Sequence, residues 1–136
     1  MNSAHKKYKS TQITSASRET ILLMLYEGAI RFTKKALEAC QNKDIAERGH
    51  NIGRVYDIVM ELNNTLDHKI GGDVAVQLEQ LYMFIMDELT KANIGGKAEH
   101  LNNVLKILET LYDGWLKAVE TLKQNGGLPS VLNQKS

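Results

Sequence analysis

The chain has 136 residues, about one domain's worth, and its 43% apolar and 24% charged residues make it too apolar for intrinsic disorder. Seventeen Lys and Arg stand against sixteen Asp and Glu, a formal charge of +1, so no long-range field gathers nucleic acid or an anionic membrane. One cysteine, Cys40, excludes a disulfide framework or a cysteine-built zinc site within one chain and fits a reducing cytoplasm.

The apolar run from Ile21 to Tyr26 is broken by Glu27 and falls far short of the roughly 18 residues a membrane span requires, so neither a signal peptide nor stable membrane insertion is expected. The single proline, Pro129, leaves more than a hundred residues free of the strongest helix breaker. Long helices are permitted.

Residues 1–16 are polar and basic, with Lys6, Lys7 and Lys9 around Tyr8 and one aliphatic residue at Ile13; they read as an N-terminal arm. From Ser17, a plausible N-cap, Leu22, Leu25, Ala29, Phe32, Ala36 and Cys40 recur at steps of three and four and predict a helix of about 24 residues. Asp44 and Glu47 resemble a capping box opening a second helix, whose stripe is Ile52, Val55, Val59, Leu62 and Leu66 and whose end falls near Asp67. Gly71-Gly72 breaks the pattern and Asp73 can cap a third helix with Val74, Leu78, Leu81, Ile85, Leu89 and Ala92 inward, ending at Gly95-Gly96. The fourth stripe is Leu101, Val104, Leu108, Leu111, Trp115 and Leu122, and Gly126-Gly127 with Leu128-Pro129 opens a frayed tail. Short connections cannot carry the chain back along helices this long, so the fold class is all-α, an antiparallel up-down-up-down four-helix bundle over 17–124, with a flexible or loosely docked arm before it and a flexible tail over 125–136.

Each helix carries apolar residues beyond its core stripe. In the first, Leu23, Tyr26, Ile30 and Leu37 form a second row; in the second, Gly49, Gly53, Tyr56 and Met60 share a flank; in the third, Ala75, Tyr82 and Met86 do, with Met83 close by. Two glycines four apart inside a helix each cost about 1 kcal/mol relative to alanine, so something approaches that backbone closely, either a neighbouring helix or a partner's. The methionines are either core fillers or an adaptable binding surface. Met24, on the side of Arg31 and Lys35, is the hardest to bury and the best candidate for a contact made after folding.

No chemical constellation accompanies these rows. A di-iron bundle needs two inward Glu-x-x-His pairs, and the one match, Glu47 with His50, points away from the core stripe. No haem or phosphate-loop motif is present, the four histidines are scattered, and Cys40 on a core stripe near a helix C-terminus is an inert thiol. No metal or cofactor is implied, and the chain reads as a binding protein rather than an enzyme.

Thr14-Ser15-Ala16-Ser17 followed by Leu22-Leu23-Met24-Leu25-Tyr26-Glu27-Gly28-Ala29 resembles the opening of the flagellin export chaperone family, FliS. Leu66-Asp67 with Gly71-Gly72-Asp73-Val74-Ala75, then Leu78 with Leu81-Tyr82, Leu89 with Lys91-Ala92-Asn93, and the aromatics Tyr8 and Trp115 agree in order and spacing, over about residues 8–120. The chain departs from the family pattern at Arg18, where proline is usual, and at Glu27, where aspartate is. The resemblance implies a cytoplasmic chaperone that binds the C-terminal segment of flagellin, prevents premature filament assembly and passes its client to the cytoplasmic domain of the flagellar export gate. An amphipathic client laid along several helices would use the second rows, so the expected partner-binding residues are Tyr8, Ile13, Leu23, Met24, Tyr26, Ile30, Gly49, Gly53, Tyr56, Met60, Tyr82, Met83 and Met86. The alternative is a general helical adaptor for a folded partner.

Tyr8 and Ile13 either belong to a disordered terminus or fold back over part of the groove until the client displaces them. With such a plug, deleting residues 1–13 leaves client-peptide affinity unchanged or tightens it in a titration; marked weakening would show that the arm touches the client.

Overall fold

A computed structural model describes residues 18–125. The arm, with Tyr8, Ile13 and the Ser17 cap, and the tail beyond Asn125 lie outside the described residues. Four helices follow in order: α1 (Arg18–Gln41), α2 (Ile45–Asn64), α3 (His68–Gly95) and α4 (Ala98–Asn125). Each packs against its sequence neighbour and α4 closes the ring against α1, which is the expected antiparallel bundle.

The caps follow from side-chain chemistry. The Asp44 carboxylate accepts the Glu47 backbone N–H at 3.1 Å, one half of the expected capping box. The Glu47 carboxylate does not return the bond to Asp44, whose N–H donates instead to the Ala39 carbonyl; Glu47 accepts from Asn51. The second helix ends at Asn64, earlier than expected, because Asp67 caps α3 by accepting from the backbone N–H groups of Lys69 and Ile70. The third helix therefore starts a turn before the double glycine rather than after it. The expected break survives as a kink at Gly72, whose φ of 52° and ψ of −126° suit a residue without a Cβ. Gly96, at φ 72°, terminates α3 in the left-handed conformation and returns its N–H to the Ala92 carbonyl.

The core is largely aliphatic. Ile52, Val55, Val59 and Leu62 of α2, and Leu66 just beyond its end, are all buried, as the sequence pattern predicts. On α1 and α3 the buried line is rotated from the expected one. Tyr26 and Tyr82, placed by the pattern on surface-facing second rows, are buried in the core, whereas Leu25, Phe32 and Leu81 are only half-buried and Val74 is exposed. The cause is a hydrogen-bonded cluster across the bundle: the Tyr26 and Tyr82 hydroxyls lie 2.5 Å apart, and the Trp115 indole N–H donates to the Tyr26 oxygen at 3.2 Å. Three helices thus bring polar tips to one point where each satisfies another. On α4, Val119 is buried while Leu111 and Leu122 are half-buried.

A second polar tie joins α3 to α4. The nearly buried Glu88 carboxylate accepts from Asn103 at 2.7 Å and pairs with His100 at 3.0 Å. The hydrogen bond from Asn103 holds Glu88 below the usual carboxylate range against the opposing effect of burial, with smaller contributions from His100 and Lys91. Its stabilisation is present above the ordinary glutamate value and is lost as pH falls through the lowered one.

Tyr26 serves two partners and Tyr82 one. Tyr26→Phe strands both the Trp115 N–H and the Tyr82 hydroxyl and is expected to cost about 1–3 kcal/mol, whereas Tyr82→Phe leaves Tyr26 accepting from Trp115 and costs nearer ~1 kcal/mol. Denaturant melts should rank the two in that order; the reverse would show that the cluster is not organised through Tyr26. Burial raises both phenols above their ordinary value, more than hydrogen bonds from Tyr82 and Trp115 lower Tyr26, so stability holds up to about pH 10 and declines above it as the unfolded chain ionises.

Candidate functional site: the seam between the second and third helices

The seam is built from two lines of residues. On α2, Gly49, Gly53, Tyr56 and Met60 follow one another at steps of four, three and four and lie on one side; on α3, Glu79, Met83, Met86, Thr90 and Asn93 do the same. Their register is fixed at one end, where a Cβ on Gly49 would stand 3.6 Å from the Asn93 Oδ1 and Arg48 donates to the Asn93 carbonyl at 3.2 Å. Counting outward in opposite directions at 1.5 Å per residue brings Tyr56 level with Met86 and Met60 level with Met83. Tyr56 and Met86 are half-buried against the core, while Met60 is 45% exposed and Met83 58%.

Gly53 lies between these landmarks. A Cβ there would meet nothing within 4 Å, so no neighbouring helix of the fold explains the residue. At Gly49 the nearest atom is at ordinary contact distance. Of the two explanations for this pair, close packing inside the bundle does not apply at Gly53, where the backbone stands open.

The opposite seam, between α1 and α4, is closed differently. Leu23 and Ile30 lie half-buried on its α1 side, packed against the core. Polar ties cross it: the Tyr112 hydroxyl donates to Glu27 at 2.6 Å, and Lys34 stands 3.8 Å from Glu109. The bond to Glu27 raises the Tyr112 phenol above its usual value. Among the described residues no such tie spans the middle of the α2–α3 seam; the contacts from Arg48 lie at its end.

The expected partner-binding residues therefore separate. Gly49, Gly53, Tyr56, Met60, Met83 and Met86 come together on one seam. Leu23 and Ile30 lie on the opposite one, and Met24, 58% exposed, faces outward from α1. Tyr26 and Tyr82 leave the surface set altogether because their hydroxyls are consumed in the core. The sequence reading missed four exposed residues on α3: Ile70, Phe84, and Val76 and Ile94, which lie seven residues before and eleven after Met83 on the same side. The spacing of Val76, Met83 and Ile94 was the available signal; Phe84 falls outside that stripe. No group of three or more His, Cys, Asp or Glu among the described residues could hold a metal ion, and no described helix is long and apolar enough to cross a membrane.

The fold is a four-helix bundle whose α2–α3 seam carries exposed methionines. A family model described as flagellar protein FliS matches residues 1–122, and the chain belongs to that family. A flagellar secretion chaperone FliS from Campylobacter jejuni is 35% identical over 114 residues, covering 84% of this chain and 89% of its own. One from Vibrio cholerae is 33% identical over 113 residues, covering 82% and 83%. A crystal structure of a bacterial flagellar chaperone superposes with a TM-score of 0.73 at 20% identity, covering 87% of this chain and 96% of that one, a likeness of fold.

Proposed function

We propose that the protein is a cytoplasmic export chaperone that receives the C-terminal segment of flagellin along the α2–α3 seam, keeps it from polymerising and passes it to the export gate. The observation that carries this reading is the exposed Met60 and Met83 beside an open Gly53. A client helix can approach closely where Gly53 has no side chain, and the unbranched methionines adapt to the apolar residues it presents. Its work is binding rather than turnover. The half-buried Leu23 and Ile30 extend the path if the client continues around the bundle to the opposite seam.

Each seam methionine is already about half covered, so covering the rest contributes about 1 kcal/mol apiece. Calorimetry with a flagellin C-terminal peptide should therefore show saturable binding, weakened about tenfold or more by the paired substitution Met60→Gln with Met83→Gln. Gly53→Ala should stabilise the free protein by up to about 1 kcal/mol while weakening the peptide, because the new methyl enters open space that the client needs. Absence of binding at about 50 μM removes the flagellin assignment. Binding unaffected by all three substitutions moves the client away from this seam.

A further inference from the structure

We propose that the face of α1 and α2 around Phe32 is a second docking site, taking a short acidic peptide segment of a partner protein that carries one apolar residue beside its carboxylates. Three cations from two helices converge on this half-buried ring: Arg54 at 5.0 Å from its centroid, Arg31 at 5.3 Å and Lys35 at 5.5 Å. Ring faces attract cations, but three cations on one ring also repel one another. Among the described residues none of the three stands within ion-pair distance of a carboxylate, whereas Lys34, Lys91 and Lys117 all do. In a chain whose formal charge is only +1, this is a local concentration of unneutralised positive charge rather than a general surplus.

The apolar half of the proposed site is Met24. It precedes Arg31 and Lys35 on one line of α1 at steps of four, three and four, with Gly28 contributing no side chain between the methionine and the cations. Helical rise puts Arg31 about 10 Å and Lys35 about 16 Å from Met24 along the axis. An extended peptide covers those distances in about three and five residues, so the matching segment has an apolar residue followed about three and five residues later by acidic ones. The two guanidinium groups suit carboxylates because they bind them through paired N–H donors. A long polyanion or an anionic membrane fits less well, since the exposed carboxylates of Glu38 and Asp57 lie one turn from Lys35 and Arg54 on the same helices and repel an extended negative surface.

Arg54 belongs to the α1 side of α2, whereas Gly53 and Met60 belong to its α3 side, so the two sites can be filled together. The acidic site therefore stands or falls apart from the flagellin reading.

The test uses the full chain and a fluorescent twelve-residue peptide of Gly and Ser carrying one Leu and, three and five residues on, a Glu. Its anisotropy should show saturable binding that weakens several-fold as salt is raised, because both partners' charges are exposed to screening. Arg31→Glu or Arg54→Glu should weaken it at least tenfold. Lys106→Glu, the same charge change on exposed α4, should alter it less than about twofold. Thermal melts of Arg54→Gln should match or exceed the wild type, since a repelling cation is removed. Four results each overturn the proposal: equal binding of the peptide with Gln for Glu, equal loss with Lys106→Glu, binding of this face to phosphatidylglycerol vesicles but not to the peptide, or marked destabilisation by Arg54→Gln.

Discussion

The helix rotations in this bundle depend on the meeting of two phenol hydroxyls and an indole N–H in a core that is largely aliphatic. Tyr26, Tyr82 and Trp115 reach in from α1, α3 and α4, and none of their polar atoms has water available there. An unsatisfied group in that position is costly, so the helices turn until the three satisfy one another. That requirement turns Leu25, Phe32 and Leu81 toward the flanks. In α3, the rotation that buries Tyr82 leaves its neighbour Met83 outside.

The rotation gives the four seams different characters. Between α3 and α4, Glu88 is satisfied by Asn103 and His100, and between α1 and α4, Tyr112 reaches Glu27. Between α1 and α2, Gly28 admits Ile58 to within 3.4 Å of where a Cβ would stand, and the charged rims gather over Phe32. The α2–α3 seam has methionines and an open glycine, and its crossing hydrogen bond, from Arg48 to Asn93, lies at its end. Unbranched apolar side chains adapt to a partner more readily than polar ties do, and for that reason the client is proposed to lie along this seam.

Much of this was legible in the sequence. Three-and-four periodicity gave all four helices, Asp44 and Gly96 marked boundaries correctly, and the stripe predicted for the second helix is buried throughout, although Leu66 falls just past the helix end. Amphipathic counting failed at Tyr26 and Tyr82 because it scores a tyrosine as half-apolar and has no means of seeing that two hydroxyls 56 positions apart will cancel each other's polarity. The same counting treated Asp73 as the cap of α3, when Asp67 reaches its N–H groups first and Gly72 absorbs the bend. Met24, Met60 and Met83 were identifiable because each lies off a stripe that was already complete. The gathering of Arg54 with Arg31 and Lys35 was not, since it depends on how two helices face each other.

The central claim is that packing around the tyrosine pair leaves specific methionines outside the free bundle for a client to cover. Methyl NMR of the methionines with a soluble paramagnetic probe reads this directly, before and after addition of a flagellin C-terminal peptide. The account predicts strong broadening of Met24, Met60 and Met83 in the free protein and weaker broadening of Met86, with protection of Met60 and Met83 but not Met24 once the peptide is bound. Protection of Met60 and Met83 in the free protein, or their continued broadening in a saturated complex, would contradict it.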